Sequence, residues 1–297
     1  MVGMQRNGAF LINGFHLYPG HRHFKERLQE ELGRRGVTMD AISSTDFLFA
    51  IESDGTMSIP SLPYDFIVVL DKDKYILSAL EKQGIHLFNS AKATEICDDK
   101  MLTYQFLANH GIPFPKTIAM PLNYSGASPE TFLTEAGQRL GYPLVVKTNY
   151  GSMGTGVYLV PDLACLLKLD KELNGRAYLL QRFVASSAGA DIRVICIGGK
   201  VKAAYRRVSD SGDFRSNIAL GGHGETIELT QRQKEIAEKA ATLIGLDYCG
   251  IDLLYGEDGE PLLCEVNSNA FFSEIEKVTG YDIAGDYADY IIDTLNR

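Results

Sequence analysis

A glycine-rich loop between two apolar strands is the first part of the chain that could do chemistry. Lys147 ends the first strand, and the loop that follows carries Gly151, Ser152, Gly154 and Gly156. Backbone N–H groups in such a loop can contact phosphate oxygens, and the lysine adds a positive charge. The loop is not a P-loop, because no Gly-Lys-Ser/Thr follows, and not a dinucleotide fingerprint, because a strand comes next. It predicts a phosphate site, with a mobile hairpin bearing a surface lysine as the alternative.

Two acids lie across from each other on a predicted hairpin near the C-terminus. Asp258 and Gly259 are typical of a two-residue type I′ turn. This turn places Asp252 opposite Glu265, with Asn267 on the same face two residues further on. Opposed carboxylates among apolar neighbours repel each other, and a hard divalent cation held by oxygen ligands removes that repulsion. The hairpin therefore predicts a metal site, with two solvated acids as the alternative.

A third group of charges flanks a pair of apolar strands joined at residues 198–199. It consists of Asp191, Arg193, Arg206 and Arg207. An arginine in such a sheet needs an anionic partner, and a phosphate or a carboxylate suits its planar fork. The two glycines at the turn allow a loop of two or three residues, so the arginine that shares a face with Arg193 stays open. A purely structural Asp–Arg pair is the alternative for Asp191.

A polar loop between residues 212 and 224 is the fourth candidate. It contains four glycines together with Arg215 and Asn217, side chains that commonly bind phosphate. Taken alone, its composition equally fits a mobile surface loop. His223, which lies beside the glycines, is interpreted as a loop residue rather than a catalytic base.

The elements that must position these residues change character along the chain. Up to about residue 90, short apolar strands alternate with helices, which predicts a small parallel α/β layer. Beyond residue 93, paired strands around glycine-rich turns are separated by helices at about 129–140, 161–173, 230–245 and 273–295. Antiparallel hairpins packed with helices predict an α+β body rather than a second parallel sheet.

Composition excludes several classes of function. The 297 residues carry a net charge of −9 without a basic block, which argues against nucleic-acid binding. No apolar run approaches the roughly 20 residues that cross a bilayer, and the N-terminal apolar stretch is shorter than a signal peptide requires. The five cysteines form no Cys-x-x-Cys pair, so we expect free thiols in a reducing cytoplasm rather than disulfides or zinc.

Together and in this order, the motifs resemble those of ATP-grasp carboxylate–amine ligases, specifically the RimK-type α-L-glutamate ligases. The resemblance runs from about residue 64 to the C-terminus. It is densest in seven motifs: Asp98-Asp-Lys, Leu144-Val-Val-Lys, Gly151-Ser-Met-Gly-Thr-Gly-Val, Asp191-Ile-Arg, Gly212-Asp-Phe-Arg-Ser-Asn, Gly250-Ile-Asp and Glu265-Val-Asn.

The resemblance implies an ATP-grasp fold of mixed α/β and α+β character. Residues 1–94 would form an N-terminal Rossmann-like domain and residues 95–184 a central lid domain. Residues 185–297 would form a C-terminal antiparallel-sheet domain that carries the metal site. ATP would lie between the last two domains.

The resemblance also implies a role for each candidate residue. The ATP phosphates would contact Lys100, Lys147, the glycine loop, Arg215 and Asn217. The strand beside the adenine would comprise Gln181, Arg182, Phe183 and Val184, and Asp191 would contact the ribose. Arg193 and Arg207 would act on the acyl phosphate as the catalytic residues. One or two Mg²⁺ ions, with Mn²⁺ as the alternative, would bind Asp252, Glu265 and Asn267.

The chain departs from the group at two positions. Arg182 stands where an acidic residue often lies near the adenine. Asn267 is followed by Ser-Asn-Ala-Phe-Phe rather than the Ser-Pro-Gly of members that modify ribosomal proteins. The acceptor therefore need not be a ribosomal protein.

The implied function is an ADP-forming ligase that makes an amide or peptide bond through an acyl phosphate. Glutamate is the expected added amino acid, with another amino acid as the alternative, and the acceptor is a peptide, a protein, a small molecule or a coenzyme. Neither a nucleic acid nor a membrane is expected as a partner, whereas the resemblance allows a homo-oligomer. The alternatives are a non-catalytic ATP-binding regulatory protein of the same fold and a kinase on that scaffold.

Overall fold

The structure is a computed structural model that describes residues 6–15, 19–124, 126, 128–216 and 221–297. Within these ranges the strands form three main sheets and one short separate hairpin. The sheets follow one another along the chain in the order that the predicted three domains require. The exact boundaries, at 94/95 and 184/185, stay predictions.

A four-stranded parallel sheet forms the N-terminal layer. Its elements, with the separate hairpin β3–β4, are β1 (Arg6–Ile12), α1 (Pro19–Arg34), β2 (Val37–Ser43), β3 (Ala50–Ile51), β4 (Met57–Ser58), β5 (Phe66–Val69), α2 (Lys74–Lys82) and β6 (His86–Phe88). The strand order is β2-β1-β5-β6. β2 pairs with one side of β1, and β5, followed by β6, pairs with the other side. Every residue of β5 is buried, as in a parallel strand covered on both faces.

An antiparallel sheet with two covering helices forms the central layer. The chain first forms α3 (Ala91–Asp98) and α4 (Lys100–Leu107). The elements of the central layer follow: β7 (Thr117–Ala119), α5 (Glu130–Leu140), β8 (Leu144–Thr148), β9 (Val157–Val160), α6 (Leu163–Leu173) and β10 (Tyr178–Arg182). The strand order is β7-β10-β8-β9. Leu144 and Val146 face the helices, and Val145 and Lys147 therefore face the other way, because side chains alternate along a strand.

A five-stranded antiparallel sheet forms the C-terminal layer. Its elements are β11 (Ala190–Ile197), β12 (Lys200–Ser209), β13 (Gly222–Thr226), α7 (Gln231–Ile244), β14 (Tyr248–Tyr255), β15 (Pro261–Asn267), α8 (Ser273–Thr279) and α9 (Ile283–Leu295). The strand order is β13-β12-β11-β14-β15. The single helix predicted over 273–295 is wrong. Gly280 has φ +70° and ends α8, as left-handed glycines commonly end helices, so α9 begins separately.

One core joins the N-terminal and C-terminal layers. Phe24 of α1 lies against Phe272 with ring centroids 4.5 Å apart, and Tyr248 of β14 stacks on Tyr287 of α9 at 4.8 Å. The helices α3 and α4 pack on the C-terminal sheet through a second core that includes Ile96. The central sheet and its helices have a core of their own. Among the described helices, none combines the length and apolar composition that a bilayer span requires.

Candidate active site

A row of buried charges crosses the C-terminal sheet. Asp191 pairs in register with Arg207, and Arg193 pairs with Asp252, so all four side chains lie on one face of three neighbouring strands. Arg193 Nη2 donates to Asp252 Oδ2 at 2.9 Å, and Arg207 Nε donates to Asp191 Oδ1 at 2.7 Å. Arg207 Nη2 also lies 2.8 Å from Asp252 Oδ2 and so connects the two pairs. The row contains equal numbers of positive and negative charges.

A bulge decides which arginine joins this row. Residues 198–199 form a two-residue turn, and the ladder then takes up one extra residue, Lys202. Because one residue of shift exchanges the two faces of a strand, Arg207 rather than Arg206 lies beside Arg193. Arg206 is on the opposite face, where it contacts the exposed Glu225 at 2.9 Å.

The arginines keep the Asp252 carboxylate ionised. Burial raises the pKa of this carboxyl group, but Arg193 and Arg207 lower it by more, so that its pKa falls to about 2. Burial lowers the pKa of Arg207, and its two aspartate partners raise that pKa well above the ordinary value. Asp252 and the two arginines are therefore charged at neutral pH.

The hairpin that carries the predicted metal ligands closes differently from the prediction. Three residues, 257–259, form the turn, and Gly259 has φ +76°, so the two-residue type I′ turn is wrong. A bulge in β15 then leaves Cys264 without a partner residue in β14 and shifts the register by one residue. Asp252 consequently lies opposite Glu265, as predicted, because the two one-residue shifts cancel.

The predicted repulsion between these two acids is offset by protein cations. Asp252 contacts two arginines, and Glu265 Oε1 lies 3.5 Å from Lys100 Nζ. Asn267, the third predicted ligand, accepts a hydrogen bond from the backbone N–H of Asn269 at 3.0 Å.

The donor set can be tested against Mg²⁺ chemistry. In the described part of the chain, no three His, Cys, Asp or Glu residues are arranged to hold a metal ion by themselves. Mg²⁺ typically takes one or two protein carboxylates and completes its shell with water and substrate phosphates. Two carboxylates and one amide therefore fit this ion when a nucleotide supplies the remaining oxygens.

Two buried lysines lie at the other side of the same space. Lys147 is 8% exposed, and its Nζ lies 3.3 Å from the Cys264 thiol. Burial lowers the pKa of Lys147, but Cys264, Tyr104 and Glu265 raise it by more, so the ammonium group stays charged. Lys100 Nζ donates to the carbonyl of Gly151 at 2.8 Å. The alternative of a surface lysine is wrong, because β8 directs Lys147 into the interior.

The glycine loop is held in a conformation that side chains would obstruct. A Cβ at Gly156, which has φ +75°, would come within 2.1 Å of Thr148 Oγ1. Arg215, from the loop that begins at residue 212, donates from Nη1 to the carbonyl of Gly154 at 3.1 Å. The two candidate loops therefore touch. Asn217 lies outside the described residues.

The strand predicted to lie beside the adenine ends at the same space. The Gln181 side chain is buried and donates to Thr117 Oγ1 at 2.9 Å and to Tyr104 Oη at 3.2 Å. Arg182 is exposed, and its Nε donates to the carbonyl of Leu140 at 3.2 Å. The Gln181 side chain thus has structural partners, and that of Arg182 contacts the backbone of the last residue of α5.

Most of the candidate residues line one cleft between the central and C-terminal sheets. Its empty volume, with the open mouth included, is about 840 Å³. The candidates that line it are Lys100, Lys147, Gly151, Ser152, Gly154, Gln181, Arg182, Phe183, Val184, Asp191, Arg207, Arg215, Asp252 and Glu265. Gly156 lies at the end of the loop without lining the cleft. The roles that the resemblance implies for these residues stay predictions.

A second cavity, of about 1680 Å³, lies between the C-terminal sheet and the N-terminal layer. The remaining described candidates, Arg193 and Asn267, line it together with Asn13 and Asp71. Arg207, Glu265 and the loop residues 151–153 line both cavities. Sequence analysis missed Asn13 and Asp71, although each closely follows an apolar strand of the predicted parallel layer. That position is the signal that could have found them, since ligands bind at the carboxyl ends of parallel strands.

Comparisons with known proteins agree with this geometry. Residues 97–291 match the model of the RimK-like ATP-grasp domain. The chain is 35% identical over 272 residues to beta-citrylglutamate synthase B of Homo sapiens, covering 88% of this chain and 69% of that protein. It is 34% identical over 219 residues to a probable alpha-L-glutamate ligase of Maridesulfovibrio salexigens, covering 73% and 70%.

A solved structure shows the same fold. D-alanine–D-alanine ligase from Bacillus anthracis, complexed with ATP, superposes with a TM-score of 0.70 at 20% identity, covering 98% of each chain. The predicted ATP-grasp fold is therefore confirmed. With 195 consecutive residues matched by the family model and relatives above 30% identity, the chain belongs to the RimK-like ATP-grasp family.

Proposed function

We propose that this protein is an ATP-dependent, ADP-forming ligase that joins a carboxylate to the amino group of glutamate. The observation that carries the proposal is the meeting of two cavities at Arg207, Glu265 and residues 151–153. A nucleotide in the first cavity would direct its terminal phosphate toward a substrate in the second. Family membership supports a ligase, and glutamate occurs in the names of both relatives.

The proposed reaction has two steps and needs no protein nucleophile. In the first step, a substrate carboxylate oxygen attacks the γ-phosphorus of ATP, and the bond from that phosphorus to the bridging β-phosphate oxygen breaks. ADP leaves, and the substrate carboxylate has become an acyl phosphate. The glutamate amine then attacks the acyl carbon, phosphate leaves with the C–O electron pair, and the amine proton passes to solvent. Positioning and charge neutralisation are the main demands of such chemistry.

The buried charges match those demands. Lys100 and Lys147 lie on the nucleotide side and would neutralise phosphate oxygens. Arg207 lies where the cavities meet and Arg193 lines the second cavity, and their guanidinium forks suit an acyl phosphate and the oxyanion that forms during amine attack. Asp191 and Asp252 orient both guanidiniums.

Mg²⁺ would be held by Asp252, Glu265 and Asn267 together with nucleotide oxygens. When bound, the ion would neutralise charge on the transferred phosphoryl group. Mn²⁺ is a substitute that such an oxygen ligand set also admits.

We extend the proposal to compartment and assembly. The five cysteines are free, and Cys97, Cys196 and Cys249 are buried, which supports a reducing cytoplasmic compartment. A homo-oligomer, as in related enzymes, is testable by sedimentation at several protein concentrations.

The test is product analysis with ATP, Mg²⁺, isotope-labelled glutamate and a metabolite extract, followed by mass spectrometry. We expect ADP and phosphate, a labelled amide, and a hydroxamate when hydroxylamine replaces glutamate. AMP and pyrophosphate would contradict the acyl phosphate route. A stable phosphorylated product without an amide would indicate a kinase. ATP binding without any amino-acid-dependent ADP release would indicate a regulatory protein.

A further inference from the structure

Asp71 is a buried carboxylate that faces the second cavity. It is 6% exposed and follows β5 directly after Leu70. Its oxygens accept hydrogen bonds from Asn13 Nδ2, at 3.1 and 3.2 Å, and from the backbone N–H of Lys72 at 2.6 Å. These donors are neutral amides, so they orient the carboxylate without neutralising its charge.

No lysine or arginine neutralises Asp71 within the described ranges, because none of their side-chain nitrogens lies within 4 Å of its carboxylate. The nearby Lys72 side chain pairs instead with Asp98 at 3.0 Å. Burying a carboxylate without a countercharge is costly, so a cation from outside the protein would stabilise this site.

The strand order places Asp71 where ligands bind in parallel sheets. Asn13 follows β1 and Asp71 follows β5. The chain connections run in opposite directions across the sheet from these two neighbouring strands, so the strand order reverses between them. Such a reversal opens a crevice at the carboxyl ends of the strands, which is the usual ligand position in open α/β sheets. The same cavity extends to Arg207 and Glu265.

We propose that Asp71 binds the protonated α-amino group of the amino-acid substrate, an inference that rests on the proposed ligase function. An amino-acid amine is mostly protonated at neutral pH, so it reaches the enzyme as a cation. Asp71, oriented by Asn13, holds that ammonium group in the second cavity until it gives one proton to solvent. The neutral amine then attacks the acyl carbon, and its second proton leaves as the amide forms.

The test compares L-glutamate with glutarate, which has the same two carboxylates and no amino group. Both are titrated calorimetrically into the protein saturated with Mg²⁺ and a non-hydrolysable ATP analogue. Wild-type protein should bind glutamate more tightly than glutarate. Asp71→Asn, which keeps the shape and removes the charge, should weaken glutamate binding about 30-fold or more and leave glutarate binding unchanged.

Asp65→Asn is the matched control, because Asp65 precedes the same strand at its other end and accepts the backbone N–H of Asn7 at 2.9 Å. Its glutamate affinity should stay within about twofold of wild type, as for surface substitutions generally. The proposal is overturned if Asp71→Asn binds glutamate like wild type, if it loses both ligands equally, or if wild-type protein does not prefer glutamate.

Hydroxylamine separates this inference from the proposed function. It attacks an acyl phosphate without needing an ammonium site, so hydroxamate formed by the wild-type protein from citrate or an extract carboxylate tests the ligase function independently of Asp71. A thermal melt shows whether Asp71→Asn is folded. If the wild-type protein forms no hydroxamate, the ligase function itself fails. If it forms hydroxamate and Asp71→Asn also uses glutamate normally, only the assignment of Asp71 fails.

Discussion

The two cavities contain acids that are equally buried but differently partnered. Asp191 in the cleft between the central and C-terminal sheets and Asp71 in the second cavity are each 6% exposed. Asp191 contacts Arg207, whereas Asp71 accepts hydrogen bonds from neutral amides. Burial alone therefore does not distinguish an acid that orients protein groups from one that can bind a ligand. The charge of the neighbouring side chains distinguishes them.

The architecture explains the difference. In the antiparallel C-terminal sheet, cross-strand register places an acid beside an arginine on each of two neighbouring ladders. At the end of a parallel strand there is no such partner, and the side chain enters the crevice beyond the sheet. The acids of the C-terminal sheet are therefore neutralised by arginines of the protein itself, whereas the crevice at Asp71 has room for the positive charge of a ligand.

Replacing Arg207 should produce the largest effect on the charged row. Arg207→Met leaves Asp191 buried without its arginine and Asp252 with Arg193 alone, and we expect a loss of about 3–5 kcal/mol in the free energy of unfolding. Urea unfolding measures this change. Arg206→Met, on the opposite face with an exposed partner, should cost no more than about 1 kcal/mol. Equal losses in the two variants would mean that the buried pairs stabilise the protein no more than the exposed Arg206–Glu225 pair does.

Lys147 tests whether the nucleotide side also works through its charge. Lys147→Met keeps an apolar stem in the buried site and removes the ammonium group, and turnover should fall about 10²–10³-fold, as when one preorganised donor is lost. ADP release and ATP affinity measure the effect. Lys168→Met, on the exposed face of α6, is the control and should behave like wild type. Unchanged ATP affinity in Lys147→Met would remove this lysine from the site.

Glu265 tests whether its cleft position serves catalysis rather than stability. Glu265→Gln should lower activity about 100-fold, because the proposed Mg²⁺ loses an anionic ligand. Lys100 and the arginines already offset the repulsion between Asp252 and Glu265, so removing the Glu265 charge should not stabilise the apo protein. Unfolding should therefore change by less than about 1 kcal/mol. A Mg²⁺-dependent rate series and a thermal melt test both parts, and wild-type activity at the wild-type Mg²⁺ requirement would contradict the assignment.

Acid titration should reveal the pairing of Asp252. Its folded pKa, about 2, is below the ordinary 3.8, so its stabilisation is present above about pH 4 and is lost as the pH falls toward 2. This contribution amounts to about 2 kcal/mol. Urea midpoints measured between pH 6 and pH 2 should therefore converge for wild type and Asp252→Asn. A constant difference across that range would mean that the carboxylate does not titrate in this way.

Motif order and strand patterning were sufficient to predict most of the nucleotide cleft. Lys147 and the glycine loop, the Asp191–Arg193 strand and the Asp252–Glu265 pair each depend on local spacing, which strand alternation converts directly into a shared face. The same patterning predicted the parallel layer and the α+β body, because periodicity and turn residues are local signals. The pairing of Asp252 with Glu265 was predicted correctly although the predicted turn type was wrong, because the bulge at Cys264 compensates for the longer turn.

Tertiary structure decided what local spacing could not. Bulges at Lys202 and Cys264 determine which side chains face the cleft, and a bulge depends on how neighbouring strands pack rather than on turn residues alone. The cations that neutralise Asp252 come from two other strands, and Asp71 meets Asn13 only because their strands are adjacent in the sheet. Sequence by itself determined the family, the fold and the types of residue in the site. The partner of each charge was decided only when distant strands came together, because electrostatic pairing depends on distance in space and not on separation along the chain.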